Sequence, residues 1–253
     1  MSTAAEQRPG TTGGAVHRVL DAEVARVRAA RPGEPPRVVD VGGGSGSWAV
    51  PLAAAGCAVT VVDTSPNALA ALERRARDAG VHPLVTPMQG DVDQLTDLVP
   101  PDADLVLGHG LLEVVDDPAR AVASLIAVAA PGAAVSILAA SRNSAVLGRV
   151  LLGRLAEARA VLTDPDGRFG PDDALRRRFD GPALSALLEA TGELRVEILQ
   201  GDDVLTGYLP GAVQDGGAAT QRTVDELEDL ASTVPALREV AARLHVLTRR
   251  AGG

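Results

Sequence analysis

The chain has no lysine: all 24 basic residues among its 253 are arginine, set against 33 acids for a net charge of −9. A general nucleic-acid binder carries a basic footprint, so this balance excludes nonspecific polyphosphate binding. The charge is uneven. Residues 141–180 hold eight arginines against six acids, which is +2, so the remainder must sum to −11. Such a segment reads first as a solvated, mixed-charge helical surface. Cysteine is nearly absent, and the lone Cys57 excludes an intramolecular disulfide. No basic group stands beside it in "GCAVTVVD", so it reads as a buried structural thiol and not a nucleophile. Aromatics make up only 2%, which leaves an aliphatic core of Ala, Val and Leu. No apolar run is long enough to predict a transmembrane helix. "MSTAAEQRPGTTGG" lacks the charged and apolar regions of a signal peptide, so the expected location is cytoplasmic. The four histidines, His17, His82, His109 and His245, are scattered along the chain. With no Ser-His-Asp, Cys-His or metal-ligand cluster in view, no metal site is expected.

What is present is an apolar fraction of 46%, enough for a full core in one large domain. Residues 1–13 are polar, and helical spacing of Val16, Val19, Leu20, Val24 and Val27 predicts a helix over 15–30. "RVVDV" is a short apolar strand of the kind buried on both faces of a parallel sheet. A helix over 47–55 holds Pro51, which is tolerated if it falls in the first turn. "AVTVVD" (58–63) is a second strand. The following helix has Ser65 as cap, Pro66 as first residue and Gly80 past its end. "PLVTPMQGD" contains a third strand, "ADLVLGHG" (103–110) is a fourth, and "AAVSILAA" (133–140) a fifth. Between the last two, a helix over 118–130 is closed by "PG". This alternation predicts a doubly wound α/β sheet, parallel through five strands. Residues 141–180 break the rhythm as a helical and irregular insertion. A helix (181–192), a strand (193–199), a Gly-rich connection, a helix (220–231) and a closing strand (242–250) follow, giving seven strands. The expected organisation is an N-terminal arm and helix over 1–36, then one domain over 37–253.

Asp40, Gly42, Gly43, Gly44 and Gly46 crowd the first strand-to-helix turn. Glycine there allows a tight turn and leaves no Cβ between backbone and ligand. In such folds ligands bind beyond the carboxyl ends of the strands. Taken alone, the turn suits NAD, FAD, a phosphate, or no ligand. Asp63 narrows it, because an acid ending the second strand can bind two ribose hydroxyls. Gly90-Asp91, after the third strand, can meet a purine edge, and His109 ends the fourth. The spacing of Asp63, 17 residues beyond Gly46, leaves a dinucleotide fold open.

These stretches together resemble the class I S-adenosylmethionine-dependent methyltransferases, strongly over residues 37–140. The resemblance implies a Rossmann-like, mostly parallel seven-stranded sheet with S-adenosyl-L-methionine as cofactor. It implies that Asp40, Gly42, Gly43, Gly44, Gly46, Asp63, Gly90 and Asp91 bind that cofactor. "GTTGGAVHRVL", "DVGGGSGS", "DLVLGHGLLEVVDDP" and "GDDVLTGYLP" are similar to bacterial tRNA methyltransferases that esterify wobble uridine 5-oxyacetic acid. That likeness implies that His17 and Arg18 reach the cofactor, that His109 faces it, and that Asn143 lies on the substrate side. The chain departs from those relatives at Val114 and Arg142, where they carry or adjoin aromatics. "RRRF" (176–179) could grip phosphate, or could be a helix face over an acidic neighbour.

Methyl transfer from a sulfonium is an in-line displacement, helped chiefly by orientation. A carboxylate acceptor needs no strong base. A phenol or amine would make His109 or Glu113 the candidate base. Three function classes follow: a tRNA-modifying methyltransferase, a small-metabolite methyltransferase with 141–180 as a lid, and a non-catalytic S-adenosylmethionine-binding interaction protein.

Overall fold

The run Arg37–Val41 forms strand β1 near the middle of the sheet, with four of its five residues buried. The computed structural model describes residues 14–209 and 216–252, so the polar arm over 1–13 lies outside the described residues. The further strands are β2 (Ala58–Asp63), β3 (Val85–Gln89), β4 (Ala103–His109), β5 (Ala129–Ala140), β6 (Leu194–Asp202) and β7 (Arg243–Arg250). They form one sheet in the order β3-β2-β1-β4-β5-β7-β6. The first five are parallel, and β7 runs antiparallel between β5 and β6.

Alternation along each strand divides the core into two layers. Val39 and Val41 of β1, Val62, Val106, Val135 and Ile137 face helices α4 (Leu95–Leu98), α5 (Pro118–Val128) and α8 (Gly181–Glu189). Val38, Val59, Val61, Leu105, Leu107 and Leu138 face α1 (Ala15–Ala30), α2 (Ala49–Ala54) and α3 (Pro66–Asp78). Cys57 is free and fully buried in this second layer.

Local signals explain most element boundaries. Pro51 is the third residue of α2, where its missing N–H has no helical partner to lose. Ser65 caps α3 by accepting the Ala68 N–H at 3.2 Å, with Pro66 first in the helix. Pro87 sits in β3, an edge strand, where a missing donor is tolerated. One boundary differs from expectation. "PG" does not close a helix: α5 stops at Val128, and Pro131-Gly132 lie inside β5. The ladder partners jump from Ala103↔Ala129 to Leu105↔Ala134. The surplus residues bulge, and Gly132 takes the left-handed conformation (φ +75°) that a bulge can demand. Likewise β6 runs on to Asp202, because pairing with β7 continues to Asp202↔Arg243.

After β5 come α6 (Arg142–Leu151) and α7 (Leu155–Thr163), then an irregular segment through residue 180. That segment returns to the end of β5. Phe179 N–H donates to the Ala140 carbonyl at 3.0 Å, and Arg142 N–H to the Phe179 carbonyl at 2.8 Å. Beyond α8 and β6, helices α9 (Ala218–Ser232) and α10 (Pro235–Arg238) lead into β7.

Candidate functional site

Strand order reverses between β1 and β4, and the crevice beyond their carboxyl ends is where α/β sheets receive ligands. A cleft of about 580 Å³ opens there, lined by Gly42, Asp63, Gly90, Asp91, Leu111 and Val114 among others. That volume suits a nucleoside-sized ligand.

The glycines of the first turn have two separate causes. Gly42, Gly44 and Gly46 have φ of +71°, +55° and +81°, values that L side chains rarely adopt. At Gly43 and Gly46 the surroundings also forbid a side chain. A Cβ on Gly43 would lie 2.9 Å from Val61 Cγ1, besides meeting Asp40, and one on Gly46 would lie 2.3 Å from Leu72 Cδ1. Gly44 is different: a Cβ there would meet nothing nearer than Asp63 Oδ2 at 4.0 Å. The space above Gly44 is open.

Asp63 holds the turn in place. Its Oδ2 accepts the Gly44 N–H at 2.9 Å and its Oδ1 accepts the Ser65 N–H at 2.8 Å. Each oxygen keeps a lone pair, and Asp63 lines the cleft. Asp40 is only 1% exposed, and neither of its carboxyl oxygens has a hydrogen-bond partner among the described residues. Burial, aided by the negative charge of Asp63, pushes its carboxyl up to about 7. A buried acid without a partner is costly to keep unless a ligand uses it.

A Cβ at Gly90 would stand 2.3 Å from Leu98 Cδ1, so the end of the Leu98 side chain would have to move aside. Asp91 lines the cleft and also caps the short turn Val92–Gln94, accepting the Asp93 N–H at 3.1 Å.

The histidines are not scattered in space. The His17 ring lies 4.5 Å from Trp48, Trp48 stands edge-on to His109 at 4.7 Å, and His109 is 6.0 Å from His245. His82 alone is exposed, in a short turn before β3. His109 Nε2 meets Ser136 Oγ at 2.8 Å, and its Nδ1 has no partner among the described residues. Burial, then the neighbouring His245, Arg243 and His17, holds the His109 ring well below the ordinary histidine range. Burial also lowers His17, with Asp21 and Arg243 acting in opposite directions.

Other predicted residues lie further off. Arg18 pairs with Asp229 of α9 and lines a second cleft of about 510 Å³ between α1, α9 and the β6–β7 edge. Asn143 lies half-buried in the first turn of α6, outside the lining of the first cleft. Glu113 is buried just beyond β4: its Oε1 accepts the Ala140 N–H at 3.3 Å, and its Oε2 has no partner among the described residues. Burial raises its carboxyl against the pull of backbone donors and of Arg243 and Arg178.

The "RRRF" run does not stand free to grip phosphate. Arg177 donates to the carbonyls of Leu112, Val115 and Asp116 at 2.9, 2.5 and 2.9 Å. Arg178 pairs with buried Asp173 at 2.5 Å, and Phe179 is buried. Arg176 meets the exposed Asp116. The run ties the insertion to the loop after β4. Sequence reasoning missed Trp48, Ser136, Gln200 and His245 as neighbours of the site. For Ser136 and His245 the available signal was polarity on inward positions of otherwise apolar strands.

Among the described residues no group of three or more His, Cys, Asp or Glu could hold a metal ion, and no helix is long and apolar enough to cross a membrane. The family described as "Methyltransferase domain" matches residues 38–132. The tRNA 5-carboxymethoxyuridine methyltransferase of Escherichia coli K12 is 26% identical over 165 residues, covering 64% of this chain and 63% of that one. The ubiquinone biosynthesis O-methyltransferase of Methylococcus capsulatus is 34% identical over 107 residues, covering 42% of this chain and 44% of that one. The chain thus matches under two thirds of the length of these curated relatives. A solved S-adenosylmethionine-dependent methyltransferase from Methanosarcina mazei has the same fold, with a TM-score of 0.59 at 16% identity, over 90% of this chain and 98% of that one.

Proposed function

From a chain that matches a methyltransferase domain over residues 38–132 and folds as a class I S-adenosylmethionine-dependent methyltransferase, we propose methyl transfer as its activity. The observation that carries this reading is the cleft beyond β1, β2 and β4. It brings Gly42, Asp63 and Gly90-Asp91 to one wall, while the buried acid Asp40 lies unpartnered behind the glycine turn. Bound S-adenosyl-L-methionine supplies an electrophilic methyl on a sulfonium. Asp63 would take the ribose hydroxyls on its remaining lone pairs, and Asp91 and the Gly90 backbone would border the adenine. The open space over Gly44, Asp40, His17 and His109 would take the amino-acid end. Arg18 is a positioning contact of α1 in this reading, through Asp229.

The chain's part in the chemistry is orientation and exclusion of water. The insertion, latched by Arg177 to the loop after β4, closes the acceptor side, with Asn143 and Glu113 as the polar groups there. One reading of the acceptor, supported by the 26% identical relative, is a carboxylate on a modified wobble uridine of tRNA, in the cytoplasm. A carboxylate arrives ionised and needs no base. A second reading, a small metabolite, is favoured by the internal engagement of Arg177 and Arg178, which leaves little basic surface for RNA.

The experiment is a thermal shift with S-adenosylhomocysteine, repeated on Asp63→Ala, followed by nucleoside mass spectrometry of tRNA from strains with and without the gene. At 100 times its dissociation constant a ligand adds about 2.7 kcal/mol, roughly 5–10 °C here. No shift, or an equal shift in Asp63→Ala, overturns the cofactor reading. A methyl ester lost with the gene supports tRNA as acceptor. Unchanged tRNA overturns that reading in favour of a metabolite. Binding with no methyl transfer to any acceptor would leave an interaction protein.

A further inference from the structure

Four polar side chains cross the sheet in one buried row. His109 of β4, Leu138 of β5, His245 of β7 and Gln200 of β6 are ladder partners in sequence across neighbouring strands. Ser136 is two residues before Leu138 and therefore on the same face. His109 Nε2 lies 2.8 Å from Ser136 Oγ, that hydroxyl 2.9 Å from His245 Nε2, and His245 Nδ1 3.0 Å from Gln200 Nε2. All four are at least nine-tenths buried. Methyl transfer itself, as read above, uses only the end of this row at His109.

The row has a direction, because each link can carry only one proton. Gln200 Nε2 is a donor, so His245 Nδ1 must accept. Burial pushes His245 down to about 3 and also holds His109 well below the ordinary histidine range, so both rings are neutral at pH 7. A neutral His245 that accepts at Nδ1 carries its proton on Nε2 and donates it to Ser136 Oγ. Ser136 Oγ has no partner besides the two histidines among the described residues, so the hydroxyl places its own proton on His109 Nε2. His109 is left with its proton on Nδ1, the nitrogen that has no partner among the described residues.

We propose that Gln200, Ser136 and His245 are positioning residues that set the tautomer of His109, making it a neutral Nδ1–H donor to a bound ligand. The ligand atom it meets is then a hydrogen-bond acceptor, an oxygen of the cofactor's carboxylate or of the methyl acceptor. It also follows that His109 is not the base that deprotonates the acceptor. This consequence rests on the methyltransferase reading, but the tautomers do not.

The test is long-range ¹H–¹⁵N NMR of the histidine rings in the full-length, ligand-free protein at pH 7, with ring signals assigned from His17→Ala, His82→Ala and His109→Gln spectra and His245 by elimination. The expected result is opposite tautomers: His245 protonated on Nε2 and His109 on Nδ1. Ser136→Ala should leave His245 as it was and turn His109 into a mixture of both forms. Gln200→Leu should loosen both rings. The reverse pattern, His109 protonated on Nε2 and His245 on Nδ1, would overturn the proposal, as would the same tautomer on both rings. If Ser136→Ala or Gln200→Leu fails to fold, the assigned wild-type spectra still decide this. Because no cofactor is added, failure here is distinct from failure of the thermal shift with S-adenosylhomocysteine.

Discussion

The Asp40 carboxylate packs so closely on Gly43 that a Cβ at Gly43 would lie 2.5 Å from Oδ2 and 2.6 Å from Cγ. The acid and the turn are therefore one unit. Gly43→Ala must push this buried carboxylate or the Val61 side chain aside, a strain of about 1–3 kcal/mol. Gly148→Ala, mid-helix in α6 with nothing within 4 Å of the new Cβ, should instead stabilise by about 0.4–1 kcal/mol. Urea unfolding of the two variants should give opposite signs.

Asp40 should make the free protein less stable as pH rises. Its folded value, about 7, lies above the ordinary carboxyl value of 3.8. Between those values the folded state binds more protons than the unfolded state, so stability falls with rising pH and levels off above about 7. Asp40→Asn removes this slope and should gain up to about 4 kcal/mol at pH 8, while weakening S-adenosylhomocysteine binding. Melting curves at pH 5 and pH 8 check the first part, and calorimetric titration the second.

The Arg178–Asp173 pair should govern the insertion. Its side chains are 9% and 1% exposed. Burial alone would raise the Asp173 carboxyl, but the Arg178 hydrogen bond, with the Phe169 and Leu175 backbone donors, outweighs it and holds the group below its ordinary value. That stability is present above the unfolded value and is lost as pH falls through the folded one. Asp173→Ala leaves a buried guanidinium without its partner and should cost about 3–5 kcal/mol. Limited proteolysis should then cut between residues 164 and 180, and wild type should show the same cuts only in acid.

Trp48, the single tryptophan, should report on His17. A protonated imidazole quenches an adjacent indole. Burial first, with Arg243 against Asp21, lowers His17 from 6.5, so emission should rise with pH through a midpoint below 6.5. His17→Leu should abolish this step, and a step that survives would assign it elsewhere.

Most of the sheet was legible because its signals are local. The valine run of β1, the Ser65-Pro66 cap of α3 and the inward faces of β4 and β5 are each specified by neighbours a few residues away. "PG" misled because proline and glycine punctuate both turns and bulges, and only the pairing of β5 with β4 decides which. "RRRF" left two readings open for a related reason, and the acidic neighbours Asp116 and Asp173 favour the second. Composition shows positive charge, but not that carbonyls of Leu112, Val115 and Asp116 lie within its reach.

By itself the sequence determined the alternation of strands and helices, the crowded glycines of the first turn and the acids at the ends of β2 and β3, because helix period, strand period and glycine's conformational freedom act over short spans. Only the tertiary structure decided that β7 enters antiparallel between β5 and β6. That placement sets His245 and Gln200 in register with His109, which lies two strands and the whole insertion earlier in the chain. Register between distant strands depends on how whole faces bury against α1 and α5, and no local pattern carries that information.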